Sequence, residues 1–162
     1  ADEEQDGVND LYVANIDGTN RKKLNLPLGI NQDVARFKIA PNSQKVAYLA
    51  DETVNDRLDL YTVNLDGTQH VRVNSGVPSV NHAVSDTFQW MPSSSKLVYV
   101  SDEAYAVGQR GLYIVDANGS NRVELSTFYV DPVFAIAPNG SRIVFKQTNT
   151  GNNPVAKSIL PS

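Results

Sequence analysis

The residues able to carry chemistry are few. Two histidines, His70 and His82, are the whole complement, and there is no cysteine. Disulfides and thiolate metal sites are therefore excluded. His70 follows a turn in a charged, exposed segment and His82 sits in a loop, so both read as solvated, and no H-E-x-x-H zinc motif occurs. Gly119-Ser120 and Gly140-Ser141 place a small residue before a serine, but neither lies in the G-x-S-x-G of a nucleophile elbow. Both follow asparagine and so also match a glycosylation sequon, which turn chemistry already explains. Asn15–Gly18 and Asn64–Gly67 read N-x-D-G, as part of a calcium loop would. Setting Gly18 or Gly67 at position six of an EF-hand loop puts Val13 or Thr62 first and Leu24 or Val73 twelfth, where the loop needs acidic ligands. No catalytic residue, metal site or cofactor is expected.

What is left is charge in loops. The segments DETVNDRLD (51–59) and DEAYAVGQRG (102–111), with the stretches 75–86 and 126–132, hold Arg57, His82, Asp86, Tyr105 and Arg110. These five are the candidate ligand-binding residues, on the principle that binding groups concentrate on loops held by a rigid scaffold. A carboxylate-rich rim of this kind suits a cation or a basic peptide. Whether the five meet depends on the elements between them.

Those elements repeat. LYVANIDGTN at 11–20, LYTVNLDGTQ at 60–69 and LYIVDANGSN at 112–121 are near copies, with their tyrosines 49 and 52 residues apart. A second signature interleaves with them: FKIAPNSQKVAYLAD from Phe37, FQWMPSSSKLVYVSD from Phe88 and FAIAPNGSRIVFKQT from Phe134. The unit is about 50 residues long, the period of a repeat architecture. Each unit reads as four strands. The first is a short apolar run ended by a turn at Asn42-Ser43, Ser93-Ser94 or Asn139-Gly140. The second, KVAYLA, KLVYVS or RIVFKQ, is apolar on consecutive positions, as a strand covered on both faces is. The third is the LY strand, closed by Asp17-Gly18, Asp66-Gly67 or Asn118-Gly119, the signal of a two-residue type I′ hairpin. The fourth, RKKLN, HVRVN or RVELS, carries the charge expected of a solvated edge. Phe88 and Trp90 fall on a first strand and read as core. Four antiparallel strands, repeated, describe propeller blades that shield one another's faces. A β-sandwich is the structural runner-up but does not explain the period.

The run Phe37…Ala40-Pro41-Asn42-Ser43…Val46-Ala47-Tyr48-Leu49-Ala50-Asp51, followed by Asp59-Leu60-Tyr61…Asp66-Gly67, resembles the TolB-type β-propeller repeat, F-x-x-(S/A)-P-D-G-x-x-(I/V)-A-(F/Y)-x-S-D…D-L-Y-x-x-x-x-D-G. The aspartate of the repeat's P-D-G is Asn42, Ser93 and Asn139 here, and only the last copy keeps the glycine. The resemblance covers most of residues 8–148. It implies a non-catalytic module that binds or scaffolds a protein or peptide, in a periplasmic or secreted setting. The alternative is the propeller portion of a prolyl-oligopeptidase-like peptidase or other hydrolase, separated from its catalytic domain. A carbohydrate-binding or lyase propeller would want several convergent histidines or aromatics, which the first strands do not offer.

The phase of the repeat organises residues 1–162 as one partial propeller domain: a half blade at 10–25, blades at 34–75 and 85–126, and a half blade at 133–162. Three blades cannot close a ring of four to eight, whereas two copies would supply six, the number the family resemblance implies. A second copy of the chain is thus one expected partner. The other reading is a piece of a longer propeller, with Val155–Leu160 as a third strand of the last blade. The opening ADEEQDG, without an initiator Met, fits a removed leader or an excised segment equally. A net charge of −4 and a pI of about 5.1 argue against a nucleic-acid partner. No apolar run is long enough for a membrane-spanning helix.

Overall fold

In the computed structural model, which describes residues 7–74, 83–104, 109–127 and 129–148, the chain is built from antiparallel strands, and the described residues contain no helix. β1 (Tyr12–Val13) pairs with β2 (Lys22–Lys23). β3 (Val34–Ile39), β4 (Lys45–Ala50), β5 (Asp59–Asn64) and β6 (Val71–Arg72) form a four-stranded meander in chain order. β7 (Val84–Trp90), β8 (Lys96–Ser101), β9 (Gly111–Asp116) and β10 (Val123–Ser126) repeat it, and β11 (Val130–Ile136) pairs with β12 (Ile143–Gln147). The register also repeats, Tyr48 lying opposite Tyr61 and Tyr99 opposite Tyr113.

The consecutive apolar residues of the second strands are explained by stacking. Val46, Tyr48 and Ala50 of β4 pack toward Leu11 and Leu24 of the first half blade. Ala47 and Leu49 pack the other way, against Phe88, Trp90, Leu97 and Tyr99. Val98 and Val100 of β8 then meet Val130 and Phe134. Each Leu, Val or Phe buried in this way contributes roughly 1.5–3 kcal/mol over an exposed one. One backbone bond recurs at all three junctions: Val34 N–H donates to Asn9 O, Val84 N–H to Leu58 O and Val130 N–H to Arg110 O, at 2.8, 2.9 and 3.0 Å. Phe88 and Trp90 are core, and the Trp90 indole N–H donates to Lys38 O at 2.9 Å.

The hairpins differ from the two-residue expectation. Gly18, Gly67 and Gly119 have φ near +81°, but the preceding Asp17, Asp66 and Asn118 do not enter the positive region that a type I′ turn requires. The loops are three residues long. Gly67 N–H donates to Asn64 O, and Asn64 N–H donates to Thr68 O, a type I turn closed by a glycine bulge. The aspartate selects this form because its carboxylate accepts from both the N–H and the hydroxyl of the following threonine, as in Asp66–Thr68 at 2.8 and 2.6 Å. The turns before β4 and β8 put a serine, Ser43 or Ser94, in the left-handed region at φ 57° and 62°, where the third copy has Gly140 at 72°.

Candidate functional site

The charged loops are in large part structural. Asp59 is buried at 3% exposure. It accepts from Arg57 Nη2 and from Asn74 Nδ2, both at 2.8 Å, and lies 3.5 Å from Arg72. Asn74 in turn accepts the Leu60 N–H at 2.9 Å, tying the start of β5 to the end of β6. The first half blade has the same clasp: Asn25 bonds Asp10 at 2.8 Å and accepts the Leu11 N–H at 2.7 Å, and Lys23 pairs with Asp10 at 2.9 Å. The next blade lacks it. Gly111 and Ser126 stand in the clasp positions, and a Cβ on Gly111 would come within 2.8 Å of the Glu124 carboxylate. A carboxylate from the fourth strand thus fills the space where the other units hold one on the third.

A second repeated cluster joins Tyr48, Glu52, Tyr61 and His70, and again Tyr99, Glu103, Tyr113 and Arg122. The tyrosine pairs stack at 5.4 and 5.3 Å between centroids. Tyr48 donates to Glu52 at 2.6 Å and Tyr99 to Glu103 at 3.0 Å. Arg122 pairs with Glu103 at 2.7 Å, and the His70 Nε2 lies 3.2 Å from Glu52 and 2.5 Å from the Tyr48 hydroxyl. His70 is therefore not the solvated strand residue expected. It stacks on Tyr61 at 5.3 Å and takes the place of arginine in this blade. Burial first, and then Glu52 for Tyr48 and Glu103 for Tyr99, push both phenols far above their usual range. Burial likewise pushes Tyr61 up to about 12.

The remaining candidates lie at one end of the sheets. Asp86, on β7, and Arg110, just before β9, line one depression of about 390 Å³ with Asp102, Ser85 and Pro132. Loops joining successive blades and loops joining second to third strands both reach this end. Asp86 is exposed and pairs with Arg36 across the blades at 3.1 Å. Asp102 is held inward, accepting the Ala83 N–H at 2.9 Å. Among the described residues no carboxylate ion pair is formed by Arg110. Arg57 is not in this group, since its guanidinium is buried against Asp59. His82 and Tyr105 lie outside the described residues. Sequence reading missed Asp102 and Ser85 as lining residues and Asn25 and Asn74 as clasps. The clasps do leave a signal, since each asparagine follows its aspartate by 15 residues. Among the described residues no cluster of three His, Asp or Glu side chains could hold a metal ion.

Solved structures resemble this chain in fold. An oligogalacturonate lyase in complex with manganese superposes with a TM-score of 0.52 at 19% identity, over 87% of this chain and 36% of its own. A protein described as a TolB from Agrobacterium tumefaciens gives 0.46 at 19% over 74% and 42%, and an oligogalacturonate lyase from Vibrio parahaemolyticus gives 0.48 at 16% over 68% and 28%. No family model and no curated protein matches the chain by sequence. At these identities the likeness concerns the fold alone, that of β-propeller blades. The chain spans less than half the length of each of these structures.

Proposed function

We propose that the chain is a non-catalytic propeller module that binds a peptide segment of a protein partner at its loop-bearing end, in a ring completed by a second copy. The observation that carries the binding reading is the depression where Asp86 and Arg110 converge beside the rigid strands β7 and β9. A site with a carboxylate and a guanidinium at its lip suits a ligand presenting both signs of charge, as a polypeptide does. A nucleic acid would want a basic face instead, and the chain is net acidic. The compartment proposed for it, periplasmic or secreted, rests on the TolB-type fold alone. Selection of a displayed library of short random peptides against the immobilised chain tests this reading. Enriched peptides should bind at least tenfold more weakly to both Asp86→Ala and Arg110→Ala, with the thermal midpoint unchanged. No enrichment, or peptides indifferent to both substitutions, would sink it.

A further inference from the structure

The first and last described sheets are each half of a blade, and the apolar surface on each is a copy of a surface buried inside. β1 and β2 are a third and fourth strand without a first and second. β11 and β12 are a first and second strand, and no third and fourth strand follows them among the described residues. At the junction between the two full blades, Phe88 and Trp90 are buried at 0% and 8% exposure, Trp90 bonding Lys38 O and Ala47 packing in the same cluster. At the next junction, Phe134 is buried in one cluster with Val98, and the Gln89 amide donates to Phe134 O at 2.8 Å. Among the described residues, nothing covers the third copy of each surface. Phe37 and Ile39, the equivalents of Phe88 and Trp90, are 59% and 54% exposed. Val144, the equivalent of Ala47 and Val98, is 71% exposed, and so is Val133 beside it on β11.

We infer that β12 of a second copy pairs with β1, so that Val144 and Val133 of that copy cover Phe37 and Ile39 of this one, and the reciprocal junction closes the ring. This rests on the ring-completion part of the reading above. Two copies of the described strands supply six blades, within the four to eight of closed propellers. Twofold closure also leaves neither strand edge open. The side chains at the seam match those of the internal joins. Extending the register of Tyr48 with Tyr61 and of Tyr99 with Tyr113 sets Phe145 opposite Tyr12, whose other face is covered by Arg21 at 3.9 Å. Phenylalanine suits that position, since four residues on the sequence has Asn149 in place of the carboxylates, Glu52 and Glu103, that receive a tyrosine hydroxyl in the other blades. The same register sets Arg142 opposite Asn15, as Lys45 stands opposite Asn64 and Lys96 opposite Asp116, each bonded across the strands. Val13 falls opposite Val144.

Light scattering on the 162-residue chain should give about twice its 17.7 kDa. Val144→Lys changes a side chain exposed in the single chain, so it should leave the circular dichroism intact and convert the dimer to monomer. Because the chain has no cysteine, the double variant Val13→Cys/Val144→Cys should oxidise to one covalent dimer and no longer ladder. A monomeric wild type overturns the inference and leaves the missing strands to come from elsewhere. A dimer indifferent to Val144→Lys, a dimer that does not cross-link, or a ladder of open polymers overturns it equally. The peptide selection reads a different site, so a monomer that still captures peptides through Arg110 would fail the ring and leave the binding reading standing.

Discussion

At the scale of residues, the buried carboxylates hold the blades' geometry. Asp59 receives Arg57, Arg72 and Asn74 in a site with almost no solvent. Truncating it leaves those donors without their anion, a loss of about 3–5 kcal/mol for a broken buried pair. Asp59→Ala should therefore lower the urea midpoint strongly at an unchanged m-value, and a loss below about 1 kcal/mol would show the clasp to be dispensable. The tyrosines set the alkaline limit. Burial, first of all, raises the folded-state values of Tyr48, Tyr61 and Tyr99 above the ordinary 10.0. A phenol raised by folding contributes stability that is whole below its unfolded value and declines as pH rises past it. Urea midpoints should hold steady from about pH 7 to about pH 9 and fall beyond about pH 10. Tyr99→Phe should flatten that fall, and an unchanged alkaline slope in the variant would contradict the assignment.

At the scale of elements, the turns are the most exacting positions. Ser43 occupies the left-handed region at φ 57° where the third copy of the turn has glycine. An L-residue there costs about 1–2 kcal/mol, part of which glycine's greater unfolded-chain freedom offsets. Ser43→Gly should thus raise the melting temperature. Ser94→Gly should not, because the Ser94 hydroxyl accepts the Asn42 N–H at 3.0 Å and that bond between blades would go. Gly67→Ala, at φ +81°, should lower it. Equal shifts in both serine variants would mean that backbone strain and the hydroxyl bond have been misjudged. Strands and turns of this kind were largely legible in the sequence, because turn residues act over three or four positions and apolar runs over six. The hairpin type was misread from Asp-Gly alone. The pair allows two backbone forms, and the choice was made by Thr19, Thr68 and Ser120 bonding back to the residue before the glycine.

At the scale of the whole molecule, the sheets are stable because they are stacked. β4 and β8 are apolar on both faces and find a neighbour on each. β3 and β12 have a neighbour on one face, and their other faces carry Phe37, Ile39 and Val144 in the open. This asymmetry between inner and outer units leaves apolar surface uncovered at both ends of the described stack of sheets. The candidate site depends on the same stacking, since Asp86 lies on β7 and Arg110 just before β9, and they share a depression with Pro132 of β11.

The sequence by itself determined the strands, their order within a blade and the period of the repeat, since each of these is specified by residues a few positions apart. Only the tertiary structure decided which charges face water. Arg57 and Asp59 look like rim residues in a charged loop, yet the clasp with Asn74 turns them inward. His70 looks like a solvated strand residue, yet Glu52 and two stacked tyrosines enclose it. The reason is that burial of these charges also depends on partners far along the chain, Asn74 for Asp59 and Glu52 for His70, and no local pattern encodes where those partners will stand.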